Sequence, residues 1–128
     1  MKVKTSELTG SALDWAVAKA DENLYPSGEV RLIDGGVITI AAGDYEEVDY
    51  WQRYSPSTDW SLAGPIIEQE SMTVGKQVHR DEWSAESFYG EGISVAHIGF
   101  GPTPLIAAMR CYVISKLGNE IDIPEVLI

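Results

Sequence analysis

The sequence predicts a small α+β domain with a mainly antiparallel sheet and two main helices, at about residues 10–22 and 104–117. Three observations favour this class. Apolar residues recur at helical spacing in two segments, one near each end of the chain. Between them, short β-rich runs alternate with turn residues. The length of 128 residues is typical of one domain, so we expect residues 1–128 to fold as a single unit.

The first helix is predicted from the segment that follows Thr9, a residue type favoured at helix N-caps. Residues 12–20 are rich in good helix formers. The apolar members that share one face of this helix are Leu13, Ala16, Val17 and Ala20. Residues 2–5, which precede the helix, are expected to form a short edge strand.

The strand signals lie in the middle of the chain. Residues 29–33 and 37–41 are β-rich and are separated by Asp34-Gly35-Gly36, which is a strong hairpin signal. Residues 83–89 and 93–98 are also expected to form strands. Together these runs predict the antiparallel sheet.

Three other segments are predicted to be irregular. Residues 44–49 contain four carboxylates in six residues and read as a solvated turn, because they lack the glycine and terminal glutamate of an EF-hand. Residues 50–68 are rich in aromatic and turn residues and show little periodicity. Residues 71–82 are polar and are expected to be loop.

The second helix has the clearest boundaries. Thr103 is the expected N-cap, and Pro104 suits the first helical position, where a missing N–H costs nothing. Gly118 is expected to end the helix in the left-handed αL conformation. The predicted helical stripe consists of Leu105, Ala108, Met109, Tyr112, Val113, Lys116 and Leu117. This stripe makes the second helix the expected centre of the core.

Composition excludes several classes of function. The formal net charge is −11, with nine scattered Lys and Arg residues, so we expect no binding to duplex nucleic acid.

The single cysteine, Cys111, falls in the middle of the second helix and is expected to be an inert core thiol in a reducing compartment. No apolar leader or membrane span is evident. Two distant histidines among scattered acids give no metal site, and no cofactor is expected.

Two segments are candidates for binding. Residues 54–60 carry more aromatic and hydrogen-bonding groups than a connection requires, although Asp59 capping a turn would also explain them. The glycines of residues 99–103 would allow a ligand close to the backbone, and the following helix N-terminus attracts anions. His97 and Arg110 lie nearby in sequence. The alternative is a tight strand-to-helix turn whose glycines serve only geometry.

We expect these two segments to meet and form one concave site with Trp60 as its apolar wall. The predicted ligand- or partner-binding residues are Tyr54, Ser57, Asp59, Trp60, Glu68, His97, Gly99, Gly101, Thr103 and Arg110. No catalytic residue is assigned within this set.

Three blocks of the sequence resemble the NinX family of lambda-like bacteriophages and prophages. They are residues 1–18, with Ala12-Leu-Asp-Trp-Ala-Val-Ala18, residues 54–68, with Tyr54-Ser-Pro-Ser-Thr-Asp-Trp60, and residues 101–118, with Gly101-Pro-Thr-Pro104. The family has no known biochemical function, so the resemblance implies a setting, the cytoplasm of an infected bacterium, and no catalytic residues. The family pattern has a second glycine before Gly64, where this chain has Ala63.

The preferred functional prediction is a non-catalytic binding protein, an accessory factor of a phage. Its partner would be a small anionic or nucleotide-like ligand or a host or phage protein, and self-association stays open. The alternative is a small hydrolase or transferase that uses Asp59, Glu68 or His97 as acid–base groups. A deep pocket that holds Asp59, His97 and Arg110 together would favour ligand chemistry, whereas a flat Trp/Tyr patch would favour a protein partner.

Overall fold

The computed structural model of the protein describes residues 1–21, 30–33, 36–40, 51–88 and 96–128. Within these residues lie the helices α1 (Gly10–Ala20), α2 (Trp60–Gln69) and α3 (Pro104–Leu117) and the strands β1 (Lys2–Lys4), β2 (Val30–Ile33), β3 (Gly36–Ile40), β4 (Trp51–Arg53), β5 (Thr73–Lys76), β6 (Trp83–Phe88), β7 (Ala96–Gly101) and β8 (Glu120–Asp122). The predicted α+β class is confirmed.

Helix α3 is the central element. It contacts α1, α2 and all three strands β5, β6 and β7. Burial surrounds the helix and does not follow the single predicted stripe, since the buried residues are Leu105 and all those from Ala107 to Val113. Contacts on every side explain this, because a helix at the centre of a fold is buried all round. The stripe is wrong in the last turn, where Lys116 and Leu117 are exposed.

Both ends of α3 lie where the sequence predicts. The Thr103 hydroxyl accepts a hydrogen bond from the backbone N–H of Ile106 at 3.1 Å, and Pro104 is the first helical residue. Gly118 follows the last turn with φ 95° and ψ −173°. The positive φ is as expected for a glycine stop, but the ψ value is not that of the αL conformation.

Strands β5, β6 and β7 form an antiparallel sheet in that order. One face of this sheet packs on α3, and there Ala85 lies opposite Gly99 with both residues buried. The strand alternation places Phe88, Ile98 and Phe100 on the other face, where all three are exposed.

Two further antiparallel units lie among the described residues. Strands β2, β3 and β4 form one sheet, and the β2–β3 pairing confirms the predicted hairpin. Strand β1 is confirmed as a short strand and pairs with β8, so the two ends of the chain are joined. The predicted hairpin turn at 34–35 and the predicted acidic turn at 44–49 lie outside the described residues.

Three predictions of local structure are wrong. The segment 50–68 is not irregular, since it contains β4 and most of the helix α2. Gly64-Pro65 is typical of a helix break, but α2 continues through it because the burial of Ala63 and Ile66 stabilises the helix. The segment 71–82 contains β5, whose pairing with β6 outweighs its polar composition. Strand β7 continues to Gly101, so most of the predicted loop 99–103 is strand.

Helix α1 begins at Gly10 after Thr9, as predicted, and ends at Ala20. The side chain of Thr9 makes no capping hydrogen bond. The buried face of α1 includes the predicted Leu13, Ala16, Val17 and Ala20. It faces α3, and Leu13, Val17, Met109 and Val113 are all completely buried in the shared hydrophobic core.

Candidate functional site

A pocket of about 280 Å³ opens where the N-termini of α2 and α3 lie side by side. We call it the α2–α3 pocket. Its lining consists of Ser57, Thr58, Trp60, Thr103, Pro104, Leu105 and Ile106. The segment 54–68 and the turn before α3 therefore meet in space. The lining is mainly apolar and contains three hydroxyl groups and no charged side chain.

The α3 side of the pocket has few free hydrogen-bond donors. Pro104 has no N–H, the Ile106 N–H donates to the Thr103 hydroxyl, and the Ala107 N–H donates to the Thr103 carbonyl. Among the first four residues of α3, the backbone N–H of Leu105 is left for an incoming acceptor. A helix N-terminus binds anions through several free N–H groups, so this one is poorly equipped for it.

The α2 side is held in place by a buried carboxylate. Asp14 of α1 is 6% exposed, and its Oδ1 accepts a hydrogen bond from the backbone N–H of Ser57 at 2.8 Å. The buried Ser57 hydroxyl lies beside the same carboxylate without hydrogen-bond geometry. Burial raises the pKa of Asp14, and the hydrogen bond from the Ser57 backbone N–H, together with the nearby Ser57 hydroxyl, opposes that rise. Asp14 thus anchors the pocket wall to the core.

Asp59 is the N-cap of α2. Its Oδ1 accepts hydrogen bonds from the backbone N–H of Ser61 at 2.9 Å and from the Ser61 hydroxyl at 2.6 Å. The alternative that Asp59 caps a turn therefore accounts for its hydrogen bonds. Asp59 does not line the pocket.

Trp60 is the first residue of α2 and the largest exposed side chain at the pocket. It is 58% exposed, whereas its pocket neighbour Leu105 is 4% exposed. More than half of the Trp60 surface therefore remains in contact with water in the folded protein. This exposed apolar surface is available for burial by a partner.

Gly99 and Gly101 serve the packing of α3 on β7. A Cβ atom at Gly99 would lie 2.4 Å from the carbonyl oxygen of Ala107 and from the backbone nitrogen of Cys111. At Gly101 it would lie 2.9 Å from the Ala107 nitrogen. These glycines allow a helix, not a ligand, to approach the strand. This is the geometric alternative raised by the sequence.

Arg110 connects three parts of the fold. It is 9% exposed, its Nε donates to the Leu8 carbonyl at 2.9 Å, and its Nη1 donates to the Phe100 carbonyl at 2.8 Å. Burial lowers the pKa of the Arg110 guanidinium, and the negative charge of Glu82 opposes this. Arg110 lies outside the α2–α3 pocket, and its hydrogen bonds to two backbone carbonyls give it a structural role.

The other three predicted residues also lie outside the pocket. Tyr54 is 5% exposed in the core, where burial and then the charge of Asp21 raise the pKa of its hydroxyl. Glu68 is exposed near the far end of α2, about 12 Å from Trp60 along the helix axis. His97 is partly buried on β7. The pocket therefore brings together Ser57, Trp60 and Thr103 from the predicted set.

Cys111 is completely buried in α3. Its Sγ lies 3.3 Å from the His97 carbonyl oxygen and 3.6 Å from the Ser87 hydroxyl. Burial raises the pKa of the thiol. A buried thiol with a raised pKa forms little thiolate at neutral pH, so this cysteine is a poor nucleophile.

Sequence reasoning missed three residues of the pocket lining and its anchor. The missed lining residues are Pro104, Leu105 and Ile106, and the missed anchor is Asp14. Thr58 lies within the predicted segment 54–60 but is not among the predicted binding residues. The sequence pattern indicates Pro104 and Leu105 only as the start and core of a helix. Asp14 had a signal, since a carboxylate within the apolar run of α1 needs a buried donor.

The described residues show neither a membrane-spanning helix nor a metal-binding cluster. No helix there is long and apolar enough to cross a membrane. The same residues contain no group of three or more His, Cys, Asp or Glu side chains arranged to hold a metal ion.

Comparison with known proteins gives one finding on relationship. A family model described as Bacteriophage P22, NinX matches residues 4–116. No curated protein matches the chain. The family match spans all three helices apart from the last residue of α3, and it includes every residue that lines the α2–α3 pocket. The chain therefore belongs to the NinX family of phage proteins.

Proposed function

We propose that this phage accessory protein is a non-catalytic binding protein of the infected bacterial cytoplasm, and that its α2–α3 pocket receives a side chain of a protein partner. The observation that carries this proposal is Trp60, which is 58% exposed at the pocket edge. Exposed tryptophans beside apolar pockets are typical binding hot spots in protein interfaces. Burial of the remaining Trp60 surface would stabilise the complex.

The pocket is small enough for one side chain to fill it, and its volume lies at the lower edge of the range of small-molecule pockets. Small-molecule pockets occupy about 300–1,000 Å³, and this pocket has about 280 Å³. Pro104, Leu105 and Ile106 provide an apolar floor, while Thr58 and Thr103 are exposed at the rim. An apolar or aromatic side chain of a partner fits this arrangement.

The charges disfavour the small anionic ligand considered from the sequence. No cation lines the pocket, and Arg110 is bonded to two backbone carbonyls. The N-terminus of α3 offers the single N–H of Leu105. In a chain of net charge −11, an anion would meet little compensating charge.

The enzyme alternative receives no support from the geometry. Asp59 and Glu68 stand at opposite ends of α2, about 13 Å apart along its axis. His97 lies on β7, and none of these three residues lines the pocket. Acid–base catalysis requires its groups within hydrogen-bonding reach of one substrate.

Site-specific photo-crosslinking tests the proposal. p-Benzoylphenylalanine at Thr58, on the pocket rim, is compared with the same group at Val78, which is 89% exposed between β5 and β6. In phage-producing cells, we expect Thr58 to give a defined protein adduct, identified by mass spectrometry, that Val78 does not give. Trp60→Ala should abolish the adduct. Equal adducts from both positions, or an adduct that persists without Trp60, would contradict the proposal.

A further inference from the structure

The outer face of the β5–β6–β7 sheet carries an apolar patch. Strand alternation turns Ala85 and Gly99 towards α3 and turns the patch residues away from it. Phe88 is 60% exposed, Phe100 is 42% exposed and Ile98 is 41% exposed. We call these three residues the sheet patch.

The sheet patch is continuous across two strands. Ile98 and Phe100 are two residues apart on β7 and therefore share a face. Phe88 pairs with Ala96, which makes it a diagonal neighbour of Ile98 within side-chain reach. A whole Phe side chain has a surface of about 200 Å². At the exposed fractions of Phe88 and Phe100, the two side chains together therefore leave roughly 200 Å² of aromatic surface in contact with water.

One carboxylate lies within this apolar surface. Glu86 is directly opposite Ile98 in the register, and the alternation places it on the same outer face. It is the charged residue of this face among the described parts of β5, β6 and β7. No described residue forms an ion pair with it.

We propose that the sheet patch is a second binding surface, for a protein that presents an apolar face with an Arg or Lys opposite Glu86. Covering the patch would remove Glu86 from water, and an unpaired buried carboxylate is strongly unfavourable. A partner must therefore supply a cation at this point. The aromatic side chains then provide apolar contact area, and the Glu86 pair fixes the register.

Charge decides against two other occupants. A second copy docked about a two-fold axis would use the same patch on both sides, which would place two Glu86 carboxylates in one apolar interface. Each copy also carries a charge of −11. Stacking of nucleic-acid bases on the two Phe side chains would bring phosphates against the same charge. A cationic protein surface complements the patch in both respects.

The second surface is separate from the proposed function. It shares no residue with the α2–α3 pocket. A chain with both surfaces can hold two partners at once and so act as an adaptor. Failure of one surface in an experiment leaves the other surface unaffected.

Photo-crosslinking from the patch tests the inference. p-Benzoylphenylalanine replaces Phe88, and Val78 again gives the background. In phage-producing cells, we expect a protein adduct that is absent from Val78, and mass spectrometry should place an Arg or Lys of that protein next to the contact. Glu86→Lys should lower the adduct yield at least ten-fold, and reversing the partner's cation to Glu should restore it.

Matched variants make each outcome decisive. Glu68→Lys makes the same charge change on exposed α2 and should leave the adduct intact. Phe100→Thr removes apolar area without changing charge and should lower the yield if Glu86→Lys fails to fold. Trp60→Ala should retain the adduct. An adduct with a second copy, an adduct with nucleic acid, no adduct, or equal loss with Glu68→Lys or Trp60→Ala would each overturn the inference.

Discussion

Replacing Gly99 by alanine should strongly destabilise the protein, because the new methyl group has no space. The added Cβ would lie 2.4 Å from both the Ala107 oxygen and the Cys111 nitrogen, and 2.9 Å from the Cys111 Cα. All three atoms are backbone atoms of α3, so no side-chain rotation relieves the overlap. Neither Gly99 nor the comparison residue Gly75 has a positive φ, so backbone strain does not contribute to the difference.

The magnitude follows from the size of the overlap. Ordinary contact begins at 3.4 Å, so α3 must move about 1 Å away from β7. A gap of about 0.5–1 Å already removes a quarter to a half of the dispersion energy of an atom pair. Since α3 contacts all three strands of this sheet as well as α1 and α2, we expect a loss of about 3 kcal/mol or more, at the upper end of the cost of overpacking. The total stability of such a domain is about 5–15 kcal/mol.

Urea unfolding followed by circular dichroism measures this loss. Gly75→Ala on β5 is the matched control, since its Cβ would meet nothing within 4 Å. We expect the control to change the free energy of unfolding by less than about 1 kcal/mol. Gly99→Ala should also lower Tm by roughly 10 °C. Equal stability of the two variants would refute the close packing of α3 on β7.

Three further predictions concern buried groups. Met109→Asp should leave the chain unfolded by circular dichroism, because Met109 is completely buried and an unpaired buried charge costs several kcal/mol; a cooperative melt would contradict its place in the core. Cys111 should react with a thiol reagent slowly in the folded protein and rapidly in denaturant, because burial raises its pKa; fast labelling of the folded chain would argue against that burial. Burial also raises the pKa of Asp14 in the folded state, so the folded chain takes up this proton at higher pH than the unfolded chain. Relative to Asp14→Asn, the wild type should therefore gain stability as the pH falls from about 7 to about 4, and parallel stability curves for the two proteins would refute this.

The elements that the sequence predicts well are those with local signals. Thr103, Pro104 and Gly118 mark the ends of α3 through their own backbone preferences. The β2–β3 pairing follows from two β-rich runs around an Asp-Gly turn. These features depend on residues close together in the chain.

The elements that the sequence misses depend on distant partners. Helix α2 contains Gly64-Pro65 and is stabilised by tertiary contacts, among them the burial of Ala63 and Ile66. Strand β5 forms because β6 lies beside it. Gly99 reads as a flexible loop residue, and its true constraint, the backbone of α3, is visible only once the strand and helix are packed.

The candidate site was predictable in its position and not in its chemistry. The expected meeting of the Trp60 segment with Thr103 gives the α2–α3 pocket. The expected ligand groups Asp59 and Arg110 are instead a helix cap and a structural clamp. Polar residues next to a pocket in sequence satisfy backbone groups as readily as ligands, and a single sequence does not distinguish the two uses.

The most direct test of the proposed function is the affinity of the protein identified from Thr58 for wild-type chain and for Trp60→Ala, measured by calorimetry. Because Trp60 is exposed, its replacement should leave Tm within a few degrees. We predict a Kd at least ten-fold weaker for Trp60→Ala, which corresponds to a loss of about 1.4 kcal/mol, and an unchanged Kd for the control Val78→Ala. An unchanged Kd for Trp60→Ala would contradict the assignment of the α2–α3 pocket as the partner site.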